Sequence, residues 1–178
     1  MIDMIPINTA FKTLLESHTE AAFAMLLNND RPRPSLPYVT FDTRSLVSIG
    51  HDALLEPNDQ GAAEILGDRE FTVAIQFYGC NAVENLEHFY SVQRFQSVTA
   101  AFDTVGIVFV DLIAGVQDLT LLVDTKYEYR AAGDFLFRIG KAIVDTGVGV
   151  IERVKADATY KKGDDTVLQM EIDTDTTP

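Results

Sequence analysis

The chain has 178 residues, 47% of them apolar, and a formal net charge of −13. That length supports one domain with a real core and peripheral segments, while the acidity excludes a basic patch gripping nucleic-acid phosphates and instead favours solubility and repulsion of DNA. No apolar run approaches the roughly 20 residues of a membrane span, and Met1 to Asn8 lack a basic region and an apolar signal core, so a soluble intracellular protein with no membrane association is predicted.

Taken in chain order, the first element is a helix over Pro6 to Leu15. Pro is tolerated in a first turn, Asn8 or Thr9 supplies a cap, and Ala10, Phe11, Leu14 and Leu15 recur at helical spacing. Ala21 to Leu27 is apolar and fits either a helical extension or a short edge strand. Pro32, Pro34 and Pro37 remove backbone donors and disfavour helix before them, which predicts an extended connector leading into a strand, Tyr38 to Ser48. Gly50 to Asp68 contains Pro57, Asn58, Asp59, Gly61 and Gly67 and reads as a long connection of the kind that is often functional.

Glu70 to Tyr78 alternates, with Phe71, Val73, Ile75 and Phe77 on one face, and so predicts a half-buried strand. Asn81 and Glu84 have capping-box spacing ahead of a helix with Ala82, Val83, Leu86, Phe89 and Tyr90 on its apolar face. The pattern drifts after Arg94. A second helix follows with Val98, Ala101, Phe102 and Val105 at i, i+3, i+4 and i+7, capped by Ser97 and ended by Gly106. Ile107 to Ala114 is a β-branched and aromatic strand, and Asp118 to Leu122 a short turn.

The longest period-two run is Tyr127 to Ile139. Tyr127, Tyr129, Ala131, Gly133, Phe135, Phe137 and Ile139 share one face; Glu128, Arg130, Ala132, Asp134 and Arg138 share the other. Such a strand spans roughly 40 Å, about twice the usual length, as in a sheet that reaches a neighbour or walls a ring. Gly140 to Thr146 reads as a bend, although Ala142 to Val144 fit continued pairing. Val148 to Tyr160 is the last predicted strand. The predicted class is α+β: a mainly antiparallel sheet of four to five strands, helices packed on one face and one long strand hairpin. Residues 1–162 form the single domain and residues 163–178 an acidic, flexible tail.

Reactive groups are sparse. His18, His51 and His88 lie in a helix end, a loop and a helix, with no ligand spacing on any element. The one cysteine, Cys80, excludes an internal disulfide and a multi-cysteine zinc site, and beside Gly79 it reads as a small turn residue. Gly147-Val-Gly149 lacks the third glycine of a dinucleotide fingerprint and precedes a strand. Gly163-Asp-Asp165 lies in the acidic tail without a positioned third ligand, and Asp111, Asp118 and Asp124 suit turn formation better than a cation. The sequence therefore assigns no catalytic residue, no cofactor and no metal.

Five ordered blocks carry a resemblance. They are Arg33-Pro-Ser-Leu-Pro-Tyr-Val-Thr40, a proline-rich lead-in to a first strand; Arg69-Glu-Phe-Thr-Val-Ala-Ile-Gln-Phe-Tyr-Gly79, a central strand; the helix pair from Asn81 to Val105 with Gly106-Ile107; Asp118-Leu-Thr-Leu-Leu-Val-Asp124 with Tyr129-Arg-Ala131; and Ile151-Glu-Arg-Val154. In this order, over roughly Pro6 to Tyr160, the chain resembles the phage neck and tail terminator family, proteins that cap the tail tube of tailed phages.

The resemblance implies a virion structural protein of the neck, assembled in the host cytoplasm. It implies a homo-oligomeric ring, expected to be a hexamer, on the last tube ring. The expected partners are the tail tube, sheath proteins and the head–tail connector or adaptor, with DNA passing through the lumen without specific binding. A head–tail connector or tail-completion protein is the neighbouring reading, and a small-ligand binding domain or enzyme the remote one. Residues marked for subunit or partner contact are Pro34 and Pro37 in the connector and the wet-face residues Glu128, Arg130, Asp134 and Arg138, which offer both signs of charge. For Arg130 a solvated strand position is an equal reading.

Overall fold

Asp3 opens the first helix, α1 (Met4–His18), by accepting a hydrogen bond from the Ile5 N–H at 3.0 Å. The start precedes Asn8 and Thr9, because Pro6 sits harmlessly among first-turn residues whose N–H groups have no helical partner. This computed structural model describes residues 2–27, 32–58, 61–146, 153–162 and 164–175. They fall into two compact units, one of Met1–Ala53 with Leu66–Ala142, the other of Leu54–Ile65 with Ile143–Pro178.

In the first unit the ambiguous apolar stretch is an edge strand, β1 (Ala24–Leu26), parallel to β2 (Tyr38–Leu54), with Ala24 opposite Val39 and Leu26 opposite Phe41. β2 leads through a turn into β3 (Ala63–Tyr78). Most of the region expected as a long connection is therefore strand, and its turn residues are confined to a short segment. There Gly61 N–H donates to Asn58 O at 2.8 Å, and Ala62 N–H donates to the Asn58 side chain at 3.0 Å. Polar residues far from a core do not stop a strand when a neighbouring strand satisfies the backbone.

Two helices follow, α2 (Ala82–Val92) and α3 (Gln96–Asp103). The expected capping box is absent. Asn81 adopts φ +57°, a left-handed conformation that Asn tolerates, and its side chain makes no cap hydrogen bond. Ser97 likewise lies inside α3, whose N-cap is Phe95. β4 (Ile107–Asp118) then pairs antiparallel with β7 (Arg130–Asp145), and between them a hairpin of β5 (Leu121–Val123) and β6 (Lys126–Glu128) stands apart. The long alternating run thus breaks at Tyr129, and pairing continues through the expected bend to Asp145.

The main sheet has the order β1-β2-β3-β7-β4 and is mostly antiparallel. The fold is α+β. Its helices pack on one sheet face. Phe11 of α1 and Phe102 of α3 meet Phe137 of β7 at ring distances of 4.9 and 5.3 Å, and Phe89 of α2 meets Phe135 at 5.5 Å. Phe71, Val73, Ile75 and Phe77 are buried, as are Ala131, Phe135 and Phe137. Alternation in β3 and β7 thus predicted the core face. Tyr127 and Tyr129, expected on that face, are 67% and 49% exposed because they precede the point where helices cover the sheet.

In the second unit β8 (Arg153–Lys162) pairs antiparallel with β9 (Asp165–Asp175). A strand therefore stands where a flexible tail was expected. Leu168, Met170 and Ile172 alternate with Glu171 and Asp173 in sequence, and the register sets Asp173 opposite Lys155 and Asp175 opposite Arg153. Residues 147–152 lie outside the described residues, and with them Gly147-Val-Gly149 and the start of the last predicted strand.

Candidate interface on the helix-free sheet face

The face opposite the helices is built by the same alternation. In β3 it carries Glu70, Thr72, Gln76 and Tyr78; in β7 it carries Arg130, Ala132, Asp134 and Arg138. Its most organised part is an aromatic and guanidinium cluster where β2 begins and β3 ends. Tyr38 and Tyr78 stack at 4.6 Å with an interplanar angle of 11°. Arg33, in the proline-rich connector, lies 5.6 Å from the Tyr78 ring centre, and Arg130 lies 5.1 Å from it, both within cation–π range.

Polar bonds fix the guanidinium groups. Arg33 donates twice to Glu128 of β6, at 3.0 and 2.5 Å, and once to the Tyr38 hydroxyl at 3.1 Å. Arg130 donates to Gln76 Oε1 at 2.5 Å, which also accepts from the Tyr78 hydroxyl at 2.8 Å. The Arg130 Nε is buried without a hydrogen-bond acceptor, and the guanidinium as a whole lies over the Tyr78 ring. The hydrogen bonds from Arg33 hold the Glu128 carboxyl below the usual carboxylate range, and reciprocally Glu128 raises Arg33. Burial pushes the Tyr38 hydroxyl up.

Further along the face Arg138 bridges to Glu70 at 2.7 Å, with 53% of the arginine side chain exposed. Arg69 bridges to Asp52 at 2.6 Å and holds that carboxyl low.

Each residue marked from sequence has a definite place. Glu128, Arg130 and Arg138 all have partners within the chain. Asp134 is exposed and stands opposite Ile113 in the β4–β7 ladder. Pro34 is partly buried, and Pro37, after a cis peptide bond, packs against Gly79, where an added Cβ would lie 2.8 Å from the Pro37 Cβ. Sequence reasoning missed Arg33, Tyr38, Gln76 and Tyr78 as a unit. The available signal was an aromatic residue at the mouth of each of two neighbouring strands, with an arginine between prolines just upstream.

Because Glu128 sits below its unfolded pKa, its contribution to stability is present above the ordinary carboxylate range and is lost as pH falls through the folded value. The pair is part exposed, at 51% and 18% for the two side chains, so its contribution at neutral pH is at most about 1 kcal/mol. Glu128→Gln is therefore expected to flatten the loss of stability as pH falls through and below the ordinary carboxylate range, read by urea denaturation at each pH. A loss as steep as in the parent chain refutes the assignment.

The histidines do not converge on one site: His18 and His88 line a shallow cleft between α1 and α2, and His51 lies on exposed β2. Among the described residues no group of three or more His, Cys, Asp or Glu is placed to hold a metal ion, and no helix is long and apolar enough to cross a membrane.

A family model described as phage neck terminator protein matches residues 7–164. The chain belongs to that family, and is thereby a virion structural protein of the phage neck and tail that interacts with other neck and tail components. No curated protein matches it.

Proposed function

We propose that this chain caps the tail tube as a ring, most simply a hexamer, which ends tube polymerisation and joins the tail to the head connector. The observation that carries this reading is a sheet longer than its helix cover. In β2 only Tyr38, Val39, Thr40 and Phe41 are buried, and every residue from Arg44 to Ala53 is exposed or half-buried. Leu46 and Val47 are 56% and 59% exposed, and Leu66 on β3 is 39% exposed. Apolar residues left exposed where the sheet outruns its helices are available to an interaction surface, and a ring formed by repeating one contact needs two different patches per subunit.

Asp134 and the outer half of Arg138 are the residues of the helix-free face we assign to subunit or partner contact. Pro34, Pro37, Glu128 and Arg130 shape that face from within. The net charge of −13 suits a lumen through which DNA slides without adhering. No cofactor enters this role.

Electron microscopy of particles lacking this protein tests the reading. Tubes of uncontrolled length are expected. Filled heads without attached tails, with tubes of normal length, would overturn it in favour of a head–tail connector or completion protein.

A further inference from the structure

The two edges of the main sheet are unlike. β4 is blunted by register shifts after Phe109 and Ile113, the second at Ala114 and Gly115, which both have positive φ. Bulges of this kind protect an edge from pairing. β1 has no such irregularity. Leu27 N–H donates inward to Phe41 O, so the backbone groups of Ala24 and Leu26 face outward. Glu16 accepts the Ala24 N–H at 3.0 Å. The Ala24 C=O and both Leu26 backbone groups remain on an edge that no described strand covers. Beside this edge runs a groove of about 420 Å³ between α1 and β1, lined by Ile5, Thr9, Met25, Leu26 and Phe41, with Lys12 on its flank.

The β5–β6 hairpin has complementary features. Leu121, Leu122 and Val123 are 44%, 58% and 44% exposed, and Tyr127, directly opposite Leu122, is 67% exposed. Two strands alone are marginal in water, so an arm this apolar is stabilised by a partner. Val123 and Lys126 close a two-residue turn, and in such a hairpin the closing pair exchanges its backbone bonds while the next pair, Leu122 and Tyr127, directs its backbone groups outward. The Tyr129 end of β6 is already engaged by Gly79 N–H, which leaves the β5 edge. β5 and β1 are each three residues long. Asp124 follows Val123 at the tip, and Lys12, which lies 3.9 Å from Glu16 with 56% of its side chain exposed, flanks the groove and offers Asp124 a cationic contact.

We propose that β5 of one copy adds to the β1 edge of a second copy, with Leu122 and Tyr127 seated on the α1–β1 groove and Asp124 beside Lys12. The contact is heterologous, so repetition closes a ring or extends a chain. It rests on the ring reading above and names the surfaces that would make the ring.

The test uses the full chain with Cys80→Ser, since Cys80 is exposed. Leu122→Cys and Leu26→Cys are introduced together and separately, both at exposed positions. A short bis-maleimide is added and the products are sized under denaturing conditions. Light scattering on the untreated protein reports assembly independently. A ladder of covalent oligomers from the double variant and from no single variant is the expected result, with Tyr127→Asp reducing the ladder about tenfold, the loss of one anchoring side chain. A ring by light scattering without the ladder overturns this contact and leaves the ring reading standing. A monomer without the ladder overturns both. A cross-link confined to single chains also overturns the contact, since it places the arm on its own groove.

Discussion

Phe137→Ala is expected to lower the free energy of unfolding by about 3–5 kcal/mol. Phe137 is fully buried in β7, and its ring meets those of Phe11, Phe71, Phe102 and Phe109 at 4.9 to 5.7 Å. Those rings come from α1, β3, α3 and β4, so one side chain ties two helices to three strands. Truncation removes its transfer free energy and leaves a cavity that four rigid rings cannot collapse into. Domains of this size carry only about 5–15 kcal/mol of stability in all, and the thermal midpoint should fall by roughly 10 °C. Urea denaturation and calorimetry at one fixed protein concentration measure this, because assembly itself shifts apparent stability. A loss below about 1 kcal/mol would show that the aromatic cluster is not the centre of the core.

Gly79→Ala is expected to cost about 2–4 kcal/mol, from backbone strain and overpacking together. Gly79 has φ +138° and ends β3 where Pro37 crosses it, and an added Cβ would lie 2.8 Å from the Pro37 Cβ and 3.2 Å from its Cα. Neither atom is the free end of a flexible side chain, so backbone must move. The same glycine donates its N–H to Tyr129 O at 3.0 Å, at the base of the β5–β6 hairpin. The substitution should therefore also raise the rate of proteolytic cleavage between Leu119 and Tyr129. Gly140→Ala is the control. It has no atom within 4 Å of the added Cβ and no positive φ, and should change stability by under about 1 kcal/mol. Equal effects at the two glycines would refute the close-approach account.

Much of the architecture was legible because periodicity is a local property. Phe71, Val73, Ile75 and Phe77 alternate, and so do Ala131, Gly133, Phe135 and Phe137, and both sets lie on the core face. The break between α2 and α3 followed from the drift of the apolar stripe after Arg94. The family, too, was legible from ordered blocks of residues, and the family model covers them.

Local signals failed where a competing contact or a second pattern in the same segment decided the outcome. Asn81 and Glu84 have the spacing of a capping box, but Asn81 turns left-handed, and its carbonyl instead accepts from the Asn85 backbone and side chain at 2.9 and 3.0 Å. Gly50 to Asp68 has the polar, glycine-bearing composition of a connection, yet most of it is strand, where pairing satisfies the backbone although few of its side chains are buried. The acidic segment after Gly163 was judged by charge, although Leu168, Met170 and Ile172 also alternate.

The chain by itself determined which residues form the core, which class of fold they build and which family they belong to, because apolar spacing and ordered motifs are written residue by residue. Only the tertiary structure decided that Arg33 and Glu128, 95 positions apart, brace the β5–β6 hairpin, that Tyr38 and Tyr78 stack beneath Arg130, and that of the two edge strands β4 is bulged and β1 is not. Those contacts join segments with no periodic relation in sequence, and folding alone brings them within bonding distance.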